Sequence, residues 1–114
     1  MFARQSRLLK EELILTIKNG STANTPLFSL KIVHIPSFPS KFAFVISKKE
    51  CGSGVFRNKA KRRARAAMRE IYKDLKPILC VIFIKKDLLS AGFKEIVTSF
   101  KNIFIKKNCF EKNS

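Results

Sequence analysis

The spacing of apolar residues predicts three helices along the chain. Leu13 and Ile17 lie one helical turn apart in a stretch that predicts a first helix over residues 6–18, and an Asn-Gly pair follows as its stop. Apolar residues spaced three or four positions apart predict a second, longer helix over 55–75 and a last amphipathic helix over 88–104.

Three other stretches have the pattern of β-strands. Apolar and polar residues alternate over 28–34 with a period of two, which predicts a strand with one buried face. The runs 42–47 and 78–84 are nearly all apolar, and we expect both to be central strands buried on both faces. The polar stretch 21–25 is expected to be a loop. Together, the predicted helices and strands give a mixed α+β fold.

The length of 114 residues allows one compact domain with one hydrophobic core. We assign that domain to residues 1–105 and expect the basic tail over 106–114 to fray. Its Cys80 is expected to be a small core residue, because it lies in an apolar run.

The charge of the chain favours a polyanionic partner. There are 24 Lys and Arg against 8 Asp and Glu, a formal net charge of +16. A phosphate backbone would neutralise such a surface and release counterions on binding. An anionic membrane is the second candidate, but the longest apolar run, over 78–84, is far shorter than the roughly 20 residues needed to span a bilayer. Charges also interrupt the apolar stretch near the N-terminus, so we expect a cytoplasmic protein.

The strongest local feature is a cationic helix. Six of the nine residues over 57–65 are Lys or Arg. On a helical wheel the alanines and Met68 share one face, while a second face carries only cations and Asn58 until the first acid, Glu70. Such a face can bind phosphates, and Arg can contact two oxygens at once. The alternative is a solvated face, although solvated helices normally mix charge signs.

Few residues are available for catalysis. The single histidine, His34, lies on a predicted strand, and the three cysteines form no Cys-x-x-Cys pair, so neither an acid–base pair nor a metal site is predicted. The loop Gly52-Ser53-Gly54 could present N–H groups to a phosphate or simply turn the chain, and it lacks the Walker spacing. The sequence therefore favours a binding protein over an autonomous nuclease.

These motifs resemble those of bacterial ribonuclease P proteins. The matching residues are Ser47-Lys48-Lys49, a glycine-containing loop, and Arg57-Asn58-x-x-Lys61-Arg62-x-x-Arg65. The resemblance extends over about residues 4–105. It departs from the family pattern at Lys59, which replaces an Arg and loses the planar fork, and in a loop before Gly52 that is one residue longer.

The resemblance implies a fold, a role and two sets of contacts. The fold is a single αβββαβα domain of the ribosomal protein S5 domain 2-like type with a left-handed crossover. The role is that of the accessory subunit of a tRNA 5′-processing endoribonuclease, whose RNA subunit catalyses Mg-dependent removal of the 5′ leader from precursor tRNA. One protein is expected to bind one RNA, and no cofactor is expected on the protein itself. Contacts with the catalytic RNA are expected from Lys48, Lys49, Arg57, Asn58, Lys59, Lys61, Arg62, Arg65 and Arg69.

The resemblance also implies a cleft between the first helix and the sheet that holds the leader. By position, the cleft residues are Leu13, Ile17, Phe28, Val45 and Ser47. Leu13 and Ile17 stand where aromatic residues are frequent, and a position in the core is the favoured alternative for both. Two other hypotheses remain: a structural RNA-binding protein of ribosomal type, and a membrane-active basic protein, which the predicted buried strands disfavour.

Overall fold

The structure is a computed structural model that describes residues 9–36, 40–46, 54–107 and 109. The helices and strands follow the order αβββαβα, which confirms the predicted fold class. They are α1 (Lys10–Asn19), β1 (Ser21–Asn24), β2 (Phe28–His34), β3 (Lys41–Val45), α2 (Gly54–Arg69), β4 (Ile78–Ile84) and α3 (Phe93–Lys106), with 3-10 turns at Tyr72–Asp74 and Lys86–Ser90.

The four strands form one mixed sheet in the order β1-β2-β4-β3. β4 pairs antiparallel with β2 and parallel with β3, so the connection between β3 and β4 that contains α2 is a crossover. Strands β2 and β4, which are distant in sequence, therefore pair at the centre of the sheet.

The two faces of the sheet are covered differently. Phe28, Leu30 and Ile32 of β2 point to one face, together with their register partners on β4, and this face carries the main core under α2 and α3. At its centre the ring of Phe28 stacks on Phe100 of α3, with ring centroids 4.2 Å apart. α1 packs on the opposite face, against β2 and β4. The ion pair between Glu12 of α1 and Lys41 places the alternate residues of β3 on that face.

Several predicted boundaries change. The polar stretch expected to be a loop contains β1, which pairs with β2 from Ser21↔Ile32 to Asn24↔Ser29. The prediction that the third strand is central is wrong, because β3 lies at the sheet edge. The second helix ends at Arg69, where a 3-10 turn follows after two residues.

Cys109, within the predicted tail, is packed against the domain. α3 continues to Lys106, and Cys109 is fully buried. The N–H of Cys109 donates to the carbonyl of Phe104, and its own carbonyl accepts from the N–H of Lys76 at 2.6 Å. Cys80 is buried in the core as expected.

Candidate nucleic-acid interface

α2 separates an apolar face from a cationic one. Ala60, Ala64, Ala67 and Met68 are completely buried against the core. At about 100° per residue, the opposite side carries Asn58, Arg62 and Arg69, all exposed. Lys61 and Arg65 are half-buried beside them, on the flank between the exposed side and the core. We call the cations Arg57, Lys61, Arg62, Arg65 and Arg69 with Asn58 the basic arc.

Arg65 is oriented by an aromatic ring. Its guanidinium carbon lies 5.7 Å from the centroid of Phe44 on β3. A cation over an aromatic ring is attracted by about 0.5–1 kcal/mol at exposed sites. The contact ties the basic arc to the edge of the sheet and limits the directions that Arg65 can adopt.

Arg57 lies at the N-terminal end of the arc. Its Nε is buried and has no hydrogen-bond partner among the described residues. A buried donor without a partner costs about 1–3 kcal/mol, a cost that an anion bound there would relieve. The adjacent guanidinium nitrogen packs over Gly54, 3.8 Å from the position that a Cβ would occupy.

Two cations of the predicted basic run lie apart from the arc. Lys59 is exposed, but the helical wheel places it on the flank of α2 away from Lys61. Arg63 turns further toward α3, and its guanidinium donates to the carbonyls of Leu89 (2.7 Å) and Ala91 (2.8 Å). Arg63 therefore fastens α2 to the segment that leads into α3.

The face of the sheet that α1 occupies is only partly covered. Leu13 is half-buried and Ile17 is 39% exposed, and Val45 of β3 is 36% exposed. Val45 is on the same face of β3 as Lys41, which pairs with α1. The structure therefore places three of the predicted cleft residues on the α1 side of the sheet, on a surface that remains open.

The structure contradicts the placement of Phe28 in the cleft. Its side chain is completely buried and stacks on Phe100, on the face opposite α1. By strand alternation, the β2 residues on the α1 side are Ser29, Lys31 and Val33. The sequence pattern did not single out Lys31. Its position could be recognised only once the structure showed on which side of the sheet α1 packs. Ser47, Lys48 and Lys49 lie outside the described residues.

The described ranges contain one close Cys–His pair and no cluster of metal ligands. No group of three or more His, Cys, Asp or Glu comes together there to hold a metal ion. The Sγ of Cys109 lies 4.0 Å from Nε2 of His34, but burial raises the pKa of the Cys109 thiol to about 11, which disfavours a nucleophilic thiolate.

None of the described helices is long and apolar enough to cross a bilayer.

Comparisons with known proteins agree with the resemblance. The family model described as Ribonuclease P matches residues 2–108. A ribonuclease P protein component from Bacillus velezensis is 28% identical over 112 residues, covering 97% of both chains. Another from Nitratiruptor sp. is 38% identical over 93 residues, covering 81% of this chain and 82% of the relative.

Solved structures show the same fold. The Staphylococcus aureus RNase P protein superposes with a TM-score of 0.77 at 17% identity, over 93% of this chain and 98% of that protein. The Thermotoga maritima RNase P protein gives 0.74 at 21% identity, over 85% and 93%.

Proposed function

The chain belongs to the ribonuclease P protein family, and on that basis we propose that it binds the RNA subunit of a bacterial ribonuclease P and the 5′ leader of precursor tRNA. In this role it assists the endonucleolytic removal of the leader. The RNA subunit carries out the hydrolysis, and the Mg²⁺ that supplies its chemistry is held by RNA. One protein binds one RNA, and the complex acts in the cytoplasm.

The basic arc of α2 is the surface that contacts the RNA subunit. The observation that carries this proposal is the sorting of charge on α2: four alanine and methionine side chains are buried on one side, and the arc contains no acid. Opposite charges on a solvated helix would stabilise it by pairing, and their absence favours a phosphate partner. Lys48 and Lys49 add to the same contact, and Lys59 offers a further cation on the other flank of α2.

The open surface beside α1 holds the leader. Leu13, Ile17 and Val45 offer aliphatic contacts there, and Ser47, two positions further along the chain, is the remaining residue of the proposed cleft. Aliphatic side chains do not stack on bases as aromatic rings do. Binding of the leader therefore depends more on charge in this protein than in relatives with aromatic residues, and Lys31 on the α1 side of β2 supplies one such charge.

Cleavage of a 5′-extended precursor tRNA by the cognate RNA subunit at low Mg²⁺, with and without the protein, tests the proposal. We expect protein-dependent cleavage at the mature 5′ end. Tight, salt-sensitive RNA binding without stimulation of cleavage would instead identify a structural RNA-binding protein.

A charge-matched pair of variants tests the interface. Arg62→Gln with Arg69→Gln removes two exposed cations from the basic arc, and Lys94→Gln with Lys101→Gln removes two exposed cations from α3. The dependence of log K on log salt should become shallower by about 0.7–0.9 for each phosphate that the protein no longer neutralises, and only in the first variant. An equal change in both variants would show that net charge alone governs binding.

A further inference from the structure

Few side chains of α1 are fully buried against the sheet. Thr16 is its one completely buried side chain, whereas Ile14 and Leu15 are 47% and 45% exposed. Hydrophobic burial fixes the position of most helices in a domain. Few side chains of α1 make this contribution, so the specific contacts at its two ends help to set its orientation.

The C-terminal end of α1 lies directly on β2. A Cβ at Gly20 would be 2.4 Å from the carbonyl oxygen of Thr16 and 3.1 Å from the backbone nitrogen of Ile32. Only glycine allows this close approach. The C-terminal end of the helix is therefore fixed against one strand.

The N-terminal end of α1 is tied to a different strand. Lys41 of β3 donates to both carboxylate oxygens of Glu12, at 3.2 and 3.0 Å. Oε1 of Glu12 also accepts the N–H of Leu9 at 2.8 Å, which caps the first turn. The hydrogen bond from the N–H of Leu9 makes the largest contribution and lowers the pKa of the Glu12 carboxyl. Desolvation raises this pKa and Lys41 lowers it, and the carboxylate is charged at neutral pH.

The two contacts together determine how α1 crosses the sheet. Gly20 lies at β2 and Glu12 reaches β3, and β4 separates those two strands. The ion pair therefore restrains the first turns of α1 relative to Val45, which is on the same face of β3 as Lys41.

We propose that Glu12 and Lys41 are positioning residues for the leader: their ion pair holds α1 at the angle that shapes the cleft over β3. The inference depends on the proposed function, because it concerns the same cleft. Lys41 is engaged with Glu12, so its role here is to orient the cleft wall rather than to bind phosphate.

The test uses the reconstituted holoenzyme and two precursor tRNAs, one with a single-stranded leader of several nucleotides and one with a leader of a single nucleotide. Glu12→Gln removes the charge but keeps an oxygen to cap Leu9. The matched control is Glu11→Gln, the same charge change on the adjacent, exposed residue. Affinity for each substrate and for the RNA subunit is measured separately.

Glu12→Gln should weaken binding of the long-leader substrate by about twofold to fivefold, the range expected from a partly exposed ion pair. Binding of the short-leader substrate and of the RNA subunit should not change. Glu11→Gln should leave long-leader binding unchanged or slightly tighter, because it removes a negative charge. Lys41→Gln should match Glu12→Gln, and Lys41→Arg, which keeps the charge, should retain the preference for the long leader.

Three outcomes would overturn the inference. Tighter long-leader binding by Glu12→Gln would mean that a released Lys41 binds phosphate itself. Wild-type affinity in Glu12→Gln would mean that the pair does not shape the cleft, and equal weakening of both substrates would point to a general loss of folding or assembly. A wild-type holoenzyme that does not distinguish the substrates would instead contradict leader binding, and so the proposed function itself.

Discussion

Arg62 and Arg63 are neighbours in the basic run, and the structure predicts opposite consequences for their loss. Arg63 donates two hydrogen bonds, to the carbonyls of Leu89 and Ala91, whereas Arg62 is exposed on the basic arc. Substitution of each by alanine tests whether position on the helix, rather than charge, decides the role of a cation.

The size of the Arg63→Ala effect follows from the two bonds. A hydrogen bond to a charged group contributes about 1.5–3 kcal/mol, and two bonds from one side chain together should contribute about 2–4 kcal/mol. In a domain of this size that loss lowers Tm by roughly 10–20 °C. Alanine is the best helix former, so no loss of helix propensity adds to this effect. Arg62→Ala should change the unfolding free energy by no more than about 0.5 kcal/mol.

RNA binding should show the reverse order. At a temperature where both variants are folded, Arg62→Ala should make the salt dependence of RNA-subunit binding shallower by about 0.7–0.9, and Arg63→Ala should leave it unchanged. Urea denaturation gives the stabilities, and filter binding at several salt concentrations gives the slopes. A stable Arg63→Ala variant with a reduced salt slope would refute the reasoning, because Arg63 would then be a phosphate ligand.

Three further substitutions or treatments test other features. Gly20→Ala should lower the unfolding free energy by about 1–3 kcal/mol in urea denaturation. Gly92→Ala is the control: its added methyl group meets nothing within 4 Å, so its unfolding free energy should stay within about 1 kcal/mol of wild type. Cys109, with a pKa of about 11 and a buried side chain, should resist iodoacetamide at pH 8 until the protein unfolds; peptide mass spectrometry that finds rapid native labelling would contradict its burial. Phe28→Leu should lower the unfolding free energy by about 1–2 kcal/mol, because packing on Phe100 is weaker, and it should not change leader-dependent binding. A selective loss of leader binding would show instead that Phe28 belongs to the cleft.

The sequence predicted the elements whose patterns are set by burial. β2 and β4 were correctly predicted because one alternates and the other is almost wholly apolar, and both strands lie at the centre of the sheet. β1 was missed because only Thr22 of its four residues favours strands, and its conformation comes from pairing with β2. The edge position of β3 depends on topology, which an apolar run does not specify.

The candidate site was predicted less completely, for a related reason. The cations of α2 are evident in the sequence, but their directions depend on which side of the helix meets α3. Arg63 is absent from the predicted RNA contacts, but the sequence could not predict that it donates to carbonyls inside the domain. Likewise, alternation predicted that Phe28 faces one side of its strand, but not that α1 covers the other side.

The strand order also constrains when the chain can fold during its synthesis on a ribosome. β4 lies between β2 and β3 and is their only shared neighbour in the sheet. A nascent chain that ends before Ile78 therefore contains three of the four strands but cannot join β3 to the others. The sheet can be completed only after β4 has left the exit tunnel. The α3 residues that cover Phe28 are synthesised later still. Folding of this domain is thus delayed until the chain has been synthesised as far as α3.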